Sequence, residues 1–255
     1  MTRTLAVAGK GGTGKTLFAT LIIKYLLETG RRPILAIDGD PSSNLNLALG
    51  MELYATIGQI REETAEQVSS GQFPGGISKP DWFEYQVQEC LVEGDGVDLL
   101  AMGRPEGPGC YCAANNMLRR SINALGSSYP YVVIDNEAGM EHISRQTTRN
   151  VDVLFVISDP TRRGLTAVEH IVHLTEDLGT RIGRCYLVIN NVIGDLPDAF
   201  VERANALGIP LLGMVPRDPL VTEYDILGKP LITLDTSSAI YTAVRELLEK
   251  ALKEL

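Results

Sequence analysis

No run of about 18 consecutive apolar residues occurs in this 255-residue chain, so no helix able to span a bilayer is expected. The opening stretch MTRTLAVAGKGG lacks the pattern of a secretory leader. Its apolar run is too short and leads straight into a glycine-rich loop. Cysteine is scarce. The four residues Cys90, Cys110, Cys112 and Cys185 are unevenly spaced in a long chain, which argues against a disulfide framework. Basic charge is in deficit, with 23 Lys and Arg against 32 Asp and Glu, a net charge of -9. Non-specific nucleic-acid binding needs clustered cations that displace counterions, and anionic membrane surfaces need the same, so neither partner is expected. Internal repeats and low-complexity segments are missing too. These absences predict a soluble cytoplasmic protein.

What is present is a steady alternation of short apolar runs and amphipathic stretches, with 44% apolar residues, enough for one sizeable core. Seven runs read as buried strands: Thr4–Gly9, Pro33–Asp38, Val97–Gly103, Tyr131–Asp135, Val153–Ser158, Cys185–Asn190 and Leu211–Val215. Their near-continuous hydrophobicity suits a parallel sheet covered on both faces. KTLFATLIIKYLLETG has helical spacing with Gly30 as its stop, and SSAIYTAVRELLEKALKEL reads as a closing helix capped by Ser237 or Ser238. The expected architecture is a single α/β domain over 1–255, a doubly wound, mostly parallel sheet of seven or eight strands with helices on both faces. Residues 51–95 are expected to form a less regular insertion, since SSGQFPGGISKPDWF is rich in Gly, Ser and Pro and reads as loop with short helices.

GKGGTGKT, from Gly9 to Thr16, matches GxxxxGK[ST] directly after a strand and before a helix. The small residues Gly11, Gly12, Thr13 and Gly14 let backbone N–H groups curl round phosphate oxygens. The helix N-terminus adds its positive end. Lys15 supplies charge to the terminal phosphates, and Thr16 is expected to ligate Mg²⁺. AIDGDPSSNL places Asp38 and Asp40 at a strand end, facing the γ-phosphate. In YVVIDNEAGMEH, Asp135 follows the apolar strand run and reads as the Walker B carboxylate holding Mg²⁺ through water, and Gly139 permits close backbone approach and rearrangement. Glu137 and His142 could touch the site but are read as surface residues. Guanine selectivity would need Asp at 193, where Ile193 stands, so a guanine nucleotide is not expected.

The lysine at the second loop position, Lys10, makes this loop resemble the deviant Walker A loop of the MinD/ParA/nitrogenase iron protein class of P-loop ATPases. The resemblance implies that Lys10 reaches across a homodimer to the partner's nucleotide and that Asp40 orients or deprotonates the attacking water. It also implies that Asn190 reads the adenine amino group and that the backbone at Pro216, Arg217 and Asp218 packs by the base. The class often has a second Thr after the loop, where this chain has Leu17. Within the class, AVAGKGGTGKT, DGDPSSNL, GCYCAANNML, DNEAGMEH and LVIN together look like the CooC/AcsF family of ATPases. That likeness implies ATP-dependent nickel insertion into carbon monoxide dehydrogenase or acetyl-CoA synthase.

Cys110 and Cys112 precede a helix expected to start near Ala113, whose N-terminus lowers thiol pKa. Thiolates suit Ni²⁺, Zn²⁺ or Cu(I), but two ligands leave such a site unfinished. A two-fold dimer doubles them to four, placing one Ni²⁺ or Zn²⁺ at the interface. Two other readings stay open. One is a MinD- or ParA-like positioning or partition switch, which the acidic balance and the mixed-charge tail VRELLEKALKEL disfavour. The other is an electron-donating ATPase with an iron–sulfur cluster held across a dimer. Cys90 and Cys185 sit in apolar contexts and read as buried filler.

Overall fold

The computed structural model describes residues 2–74, 76–103, 120, 122–136, 150–177 and 181–253. Seven strands pair in parallel into one sheet: β1 (Arg3–Gly9), β2 (Ile34–Asp38), β3 (Val97–Ala101), β4 (Tyr131–Asp135), β5 (Asn150–Ser158), β6 (Arg181–Val192) and β7 (Leu211–Pro216). Their spatial order is β3-β2-β4-β1-β5-β6-β7. All seven apolar runs became strands, and in the central ones, β1, β2 and β4, nearly every side chain is buried on one face or the other.

Leu5 and Val7 of β1 join a core with α1 (Lys15–Glu28), whereas Ala6 and Ala8 face a second core on the opposite side. The first core also takes in the closing helix α8 (Ala239–Ala251), which buries Ile240, Tyr241, Val244, Leu247 and Leu248. Ser238 caps this helix, its hydroxyl accepting the Tyr241 N–H. α5 (Arg162–Asp177) packs against β5 on the second face.

The stretch expected to be less regular holds two well-formed helices, α3 (Ile57–Ser69) and α4 (Lys79–Glu89), after the short α2 (Leu45–Leu49). Thr56 and Gln59 form a reciprocal capping box, and Ser78 caps α4 with Pro80 in its first turn. The Gly/Ser/Pro run is the connection between them. Ile57, Ile60, Phe83, Val87 and Cys90 belong to the second core, so both helices are part of the main body. The remaining helices among the described elements are α6 (Asp198–Asn205) and α7 (Pro219–Ile226).

The direction of strand addition reverses at β1, which lies between β4 and β5. In open α/β sheets, ligands bind at the carboxyl ends of strands beside such a reversal. The parallel register puts Asp38 of β2 level with Asp135 of β4, and Gly9 of β1 level with Ile157 of β5.

Candidate nucleotide site

β1 ends at Gly9 and α1 begins at Lys15, so residues 10–14 turn the chain at the reversal point. Gly14 precedes the helix at φ 88, a left-handed conformation that costs glycine little. No side chain caps α1, and no acidic residue lies in its first turn. Its first N–H groups are therefore left for a ligand, and they point toward where an anion is most favoured. A methyl group at Gly11 or Gly12 would meet nothing within 4 Å, so open space lies beside this backbone. Lys15 is buried at 7% exposure, and its Nζ lies 3.4 Å from the Lys10 carbonyl, turned back over its own loop. The Lys10 side chain is exposed. Thr13 braces the turn by donating its hydroxyl to the same carbonyl at 2.8 Å.

The carboxylates at the neighbouring strand ends divide their work. Thr16 Oγ1 donates to Asp135 Oδ2 at 2.5 Å, while Asp135 Oδ1 is buried without a hydrogen-bond partner among the described residues. Burial pushes the Asp135 carboxyl up to about 7, opposed by the Thr16 hydrogen bond and reinforced by the negative charge of Asp38. A buried carboxylate with one oxygen unpaired beside a threonine hydroxyl suits a small hard cation with oxygen ligands. The residues present thus fit Mg²⁺, with Thr16 and Asp135 as the groups that would hold it.

Asp38 does not face the phosphate space as expected. It is fully buried, with Oδ1 accepting the Asp40 N–H at 3.0 Å and Oδ2 accepting the Leu45 N–H at 2.9 Å. Burial raises its carboxyl to about 6, partly offset by those two N–H donors. Its role is to pin the 39–44 loop against the sheet. The register explains this: the side chain leaves the strand on the α1 face, beneath the loop it begins. Asp40 is partly exposed, and its Oδ1 accepts the Ser42 N–H in a tight turn at 2.8 Å.

Asn190, at 6% exposure on β6, donates Nδ2 to the Thr13 carbonyl at 2.8 Å. Its oxygen is left as the acceptor, the chemistry that meets an exocyclic amino group. A cleft of about 260 Å³ opens here, lined by Gly12, Leu17, Asn190, Pro216, Arg217 and Asp218, among others. Asp218 shapes it indirectly, because its carboxylate accepts the N–H of Leu220 in α7 and of Ile240 in α8. Leu17, standing where the class often has Thr, contributes an apolar wall.

Two residues passed over in the sequence belong to this region. Asn136 is 1% exposed and ties β4 to β1, its Nδ2 and backbone N–H both donating to the Val7 carbonyl at 2.8 and 3.1 Å. Its place directly after the strand-ending Asp135 was the available signal. Asn191 adopts φ 62 at an irregularity of the β6–β7 pairing and lines the cleft. An Asn tolerates that conformation better than most residues.

Cys110, Cys112 and Gly139 lie outside the described residues, as do Glu137 and His142. Among the described residues, no group of three or more His, Cys, Asp or Glu could hold a metal ion, and no helix is long and apolar enough to cross a membrane. Cys90 is buried and Cys185 half-buried, and burial pushes their thiols up to about 12 and about 11 respectively. Neither is a reactive thiolate at neutral pH.

The parallel sheet, the uncapped helix after a glycine loop and the paired threonine and aspartate define a mononucleotide-binding P-loop domain. The family model of the CobQ/CobB/MinD/ParA nucleotide-binding domain, CbiA, matches residues 4–231, and this chain belongs to that family of P-loop ATPase domains. It is similar to an uncharacterised ATP-binding protein of Methanocaldococcus jannaschii, 44% identical over 250 residues, covering 98% of each chain. It is also similar to the carbon monoxide dehydrogenase accessory protein CooC of Rhodospirillum rubrum, 31% identical over 237 residues, 88% of this chain and 87% of the relative. Among solved structures it resembles the septum site-determining protein MinD of Pyrococcus horikoshii complexed with Mg-ADP. The TM-score is 0.69 at 22% identity, covering 98% of this chain and 96% of that one.

Proposed function

We propose that this protein is a magnesium-dependent ATPase acting as a metallochaperone, a homodimer that assists nickel insertion into carbon monoxide dehydrogenase or acetyl-CoA synthase. The observation that carries this reading is the 31% identity to a carbon monoxide dehydrogenase accessory protein, taken with a Cys110-x-Cys112 pair inside the same P-loop domain. The chain acts as one domain over 1–255, since α3 and α4 contribute to the main core.

In this reading Gly11, Gly12, Thr13 and Gly14 wrap the phosphates with backbone N–H groups, and Lys15 neutralises their terminal charge. Magnesium, when bound, spreads the charge of the β- and γ-phosphates. Thr16 and Asp135 would hold it. Asp40, on the loop that Asp38 pins, orients the attacking water. Lys10, free of its own loop's interior, serves the partner's nucleotide. Asn190 accepts from the adenine amino group while its Nδ2 stays on Thr13, and Pro216, Arg217 and Asp218 frame the base. The MinD structure with Mg-ADP supports the same nucleotide and ion.

The cargo metal, Ni²⁺ or Zn²⁺, is taken as a substrate by two Cys110/Cys112 pairs across the dimer. Linkage makes the coupling reciprocal: if metal tightens ATP binding, ATP tightens metal binding by the same factor. Calorimetric titration of Ni²⁺ and Zn²⁺ into apo, ADP and ATP-analogue states, with mass measured alongside, tests this. One ion per dimer is expected, lost in a Cys110→Ala/Cys112→Ala variant. Unchanged stoichiometry and affinity in that variant would sink the metallochaperone.

The MinD-like fold favours a second reading, a cytoplasmic positioning or partition switch. The closing helix weighs against its membrane form, because the apolar face of α8 is packed on α1 and β7. Sedimentation with DNA or liposomes, with and without ATP, separates the two: the switch predicts ATP-dependent co-sedimentation and the metallochaperone predicts none.

A further inference from the structure

A second cleft lies away from the nucleotide, beside the edge strand β3. It encloses about 820 Å³. Its floor is apolar, with Met51, Leu91, Val97 and Ile232 among the residues lining it. Four carboxylates line it as well, Glu52, Glu89, Glu93 and Asp95, and no Lys or Arg does. Asp95 is contacted by Arg32 only loosely, at 3.8 Å, and Glu52 accepts from the Tyr54 hydroxyl at 3.2 Å. Glu89 and Glu93 make no ion pair among the described residues. Tyr54, on the rim, is 77% exposed.

An apolar floor under a rim of four carboxylates, only one of them paired with a cation among the described residues, matches one kind of ligand, a segment that is apolar on one side and cationic along its edges. A metal ion fits poorly, since no described group of three acidic, His or Cys side chains converges closely enough to hold one. The rim also connects to the nucleotide site by a short path. Asp38 accepts the Leu45 N–H at the start of α2, and the Asn46 carbonyl in α2 accepts the Met51 N–H at 2.9 Å. The single short helix Leu45–Leu49 therefore joins the loop carrying Asp40 to the cleft wall, which begins at its last residue, Leu49. A methyl group at Gly50 would strike Pro230, so this joint has little slack to absorb a shift.

We propose that this cleft is a docking site for a cationic amphipathic segment of a partner protein, and that α2 links its occupancy to the 39–44 loop. The linkage rests on the reading of Asp40 as the water-orienting residue; the docking does not.

The test uses the full-length protein and a synthetic Leu/Lys amphipathic helical peptide, without nucleotide. Binding is measured by calorimetry and mapped by hydrogen exchange. Slowed exchange is expected at 49–54 and 88–97, with a change at 39–45. A Glu89→Lys/Glu93→Lys variant is expected to lose at least about tenfold in affinity, a loss of about 1.4 kcal/mol. An Asp195→Lys/Glu202→Lys variant removes the same charge from a distant surface and is expected to bind as wild type. Equal affinity in the Glu89/Glu93 variant, equal loss in both variants, or protection elsewhere would overturn the docking site. Protection in the cleft with unchanged exchange at 39–45 would overturn the linkage.

Discussion

Asn190 serves two neighbours with one amide. Its Nδ2 holds the Thr13 carbonyl of the phosphate loop, and the residue also lines the cleft proposed for the base. Asn190→Ala removes the donor from a carbonyl in a residue only 3% exposed. An unpaired buried acceptor costs about 1–3 kcal/mol. The urea midpoint is therefore expected to fall, and ATP affinity by calorimetry to drop roughly tenfold. Asn190→Asp is expected to do worse, because a carboxylate cannot donate to Thr13 and adds a charge near the phosphates. Wild-type stability in both variants would refute this bracing role.

The helices around the base are set by a single carboxylate. Asp218 caps α7 through Leu220 and accepts the N–H of Ile240 in the first turn of α8. Losing one cap costs about 1 kcal/mol. Asp218→Ala is expected to cost on the order of 2 kcal/mol by chemical denaturation, and to weaken ATP binding because α7 and α8 no longer hold the cleft. Asp218→Asn keeps one acceptor and is expected to fall between. The capping of α3 was readable in advance: Thr56 followed three residues later by Gln59 is a helix-start signature. It was overlooked because the Gly/Ser/Pro-rich stretch nearby suggested irregular chain, whereas those residues form the connection between two helices. The dual role of Asp218 was not readable, since nothing local links it to a helix that starts at residue 239.

For the molecule as a whole, the paired strand ends make stability depend on pH. Asp38 and Asp135 have folded-state values of about 6 and about 7, both raised chiefly by burial. The unfolded carboxylates release their protons near pH 4. Between about pH 4 and 7 the native chain therefore binds more protons than the unfolded one, and this pair's contribution to stability falls as pH rises. In metal- and nucleotide-free protein, the urea midpoint is expected to decline relative to an Asp38→Asn/Asp135→Asn variant across that window. A pH-independent difference would refute it. Magnesium with ADP is expected to flatten the decline, because a cation beside Asp135 favours its charged form.

The seven strands, the glycine-rich turn between β1 and α1, and a cap at Ser237 or Ser238, of which the structure uses Ser238, could all be read along the chain. Each depends on residues near one another in sequence: an apolar run, a glycine spacing, or a serine before a helix. Other features needed residues brought together from distant segments. The strand register turned Asp38 inward to pin a loop. The β1–β6 arrangement set Asn190 against Thr13, and Asn136 tied β4 to β1. The acidic cleft joins α1, the end of α2 and the chain around β3. Burial and long-range hydrogen bonds do not exist until the sheet forms, and no local pattern encodes which carboxylate will be enclosed and which will remain open to a ligand.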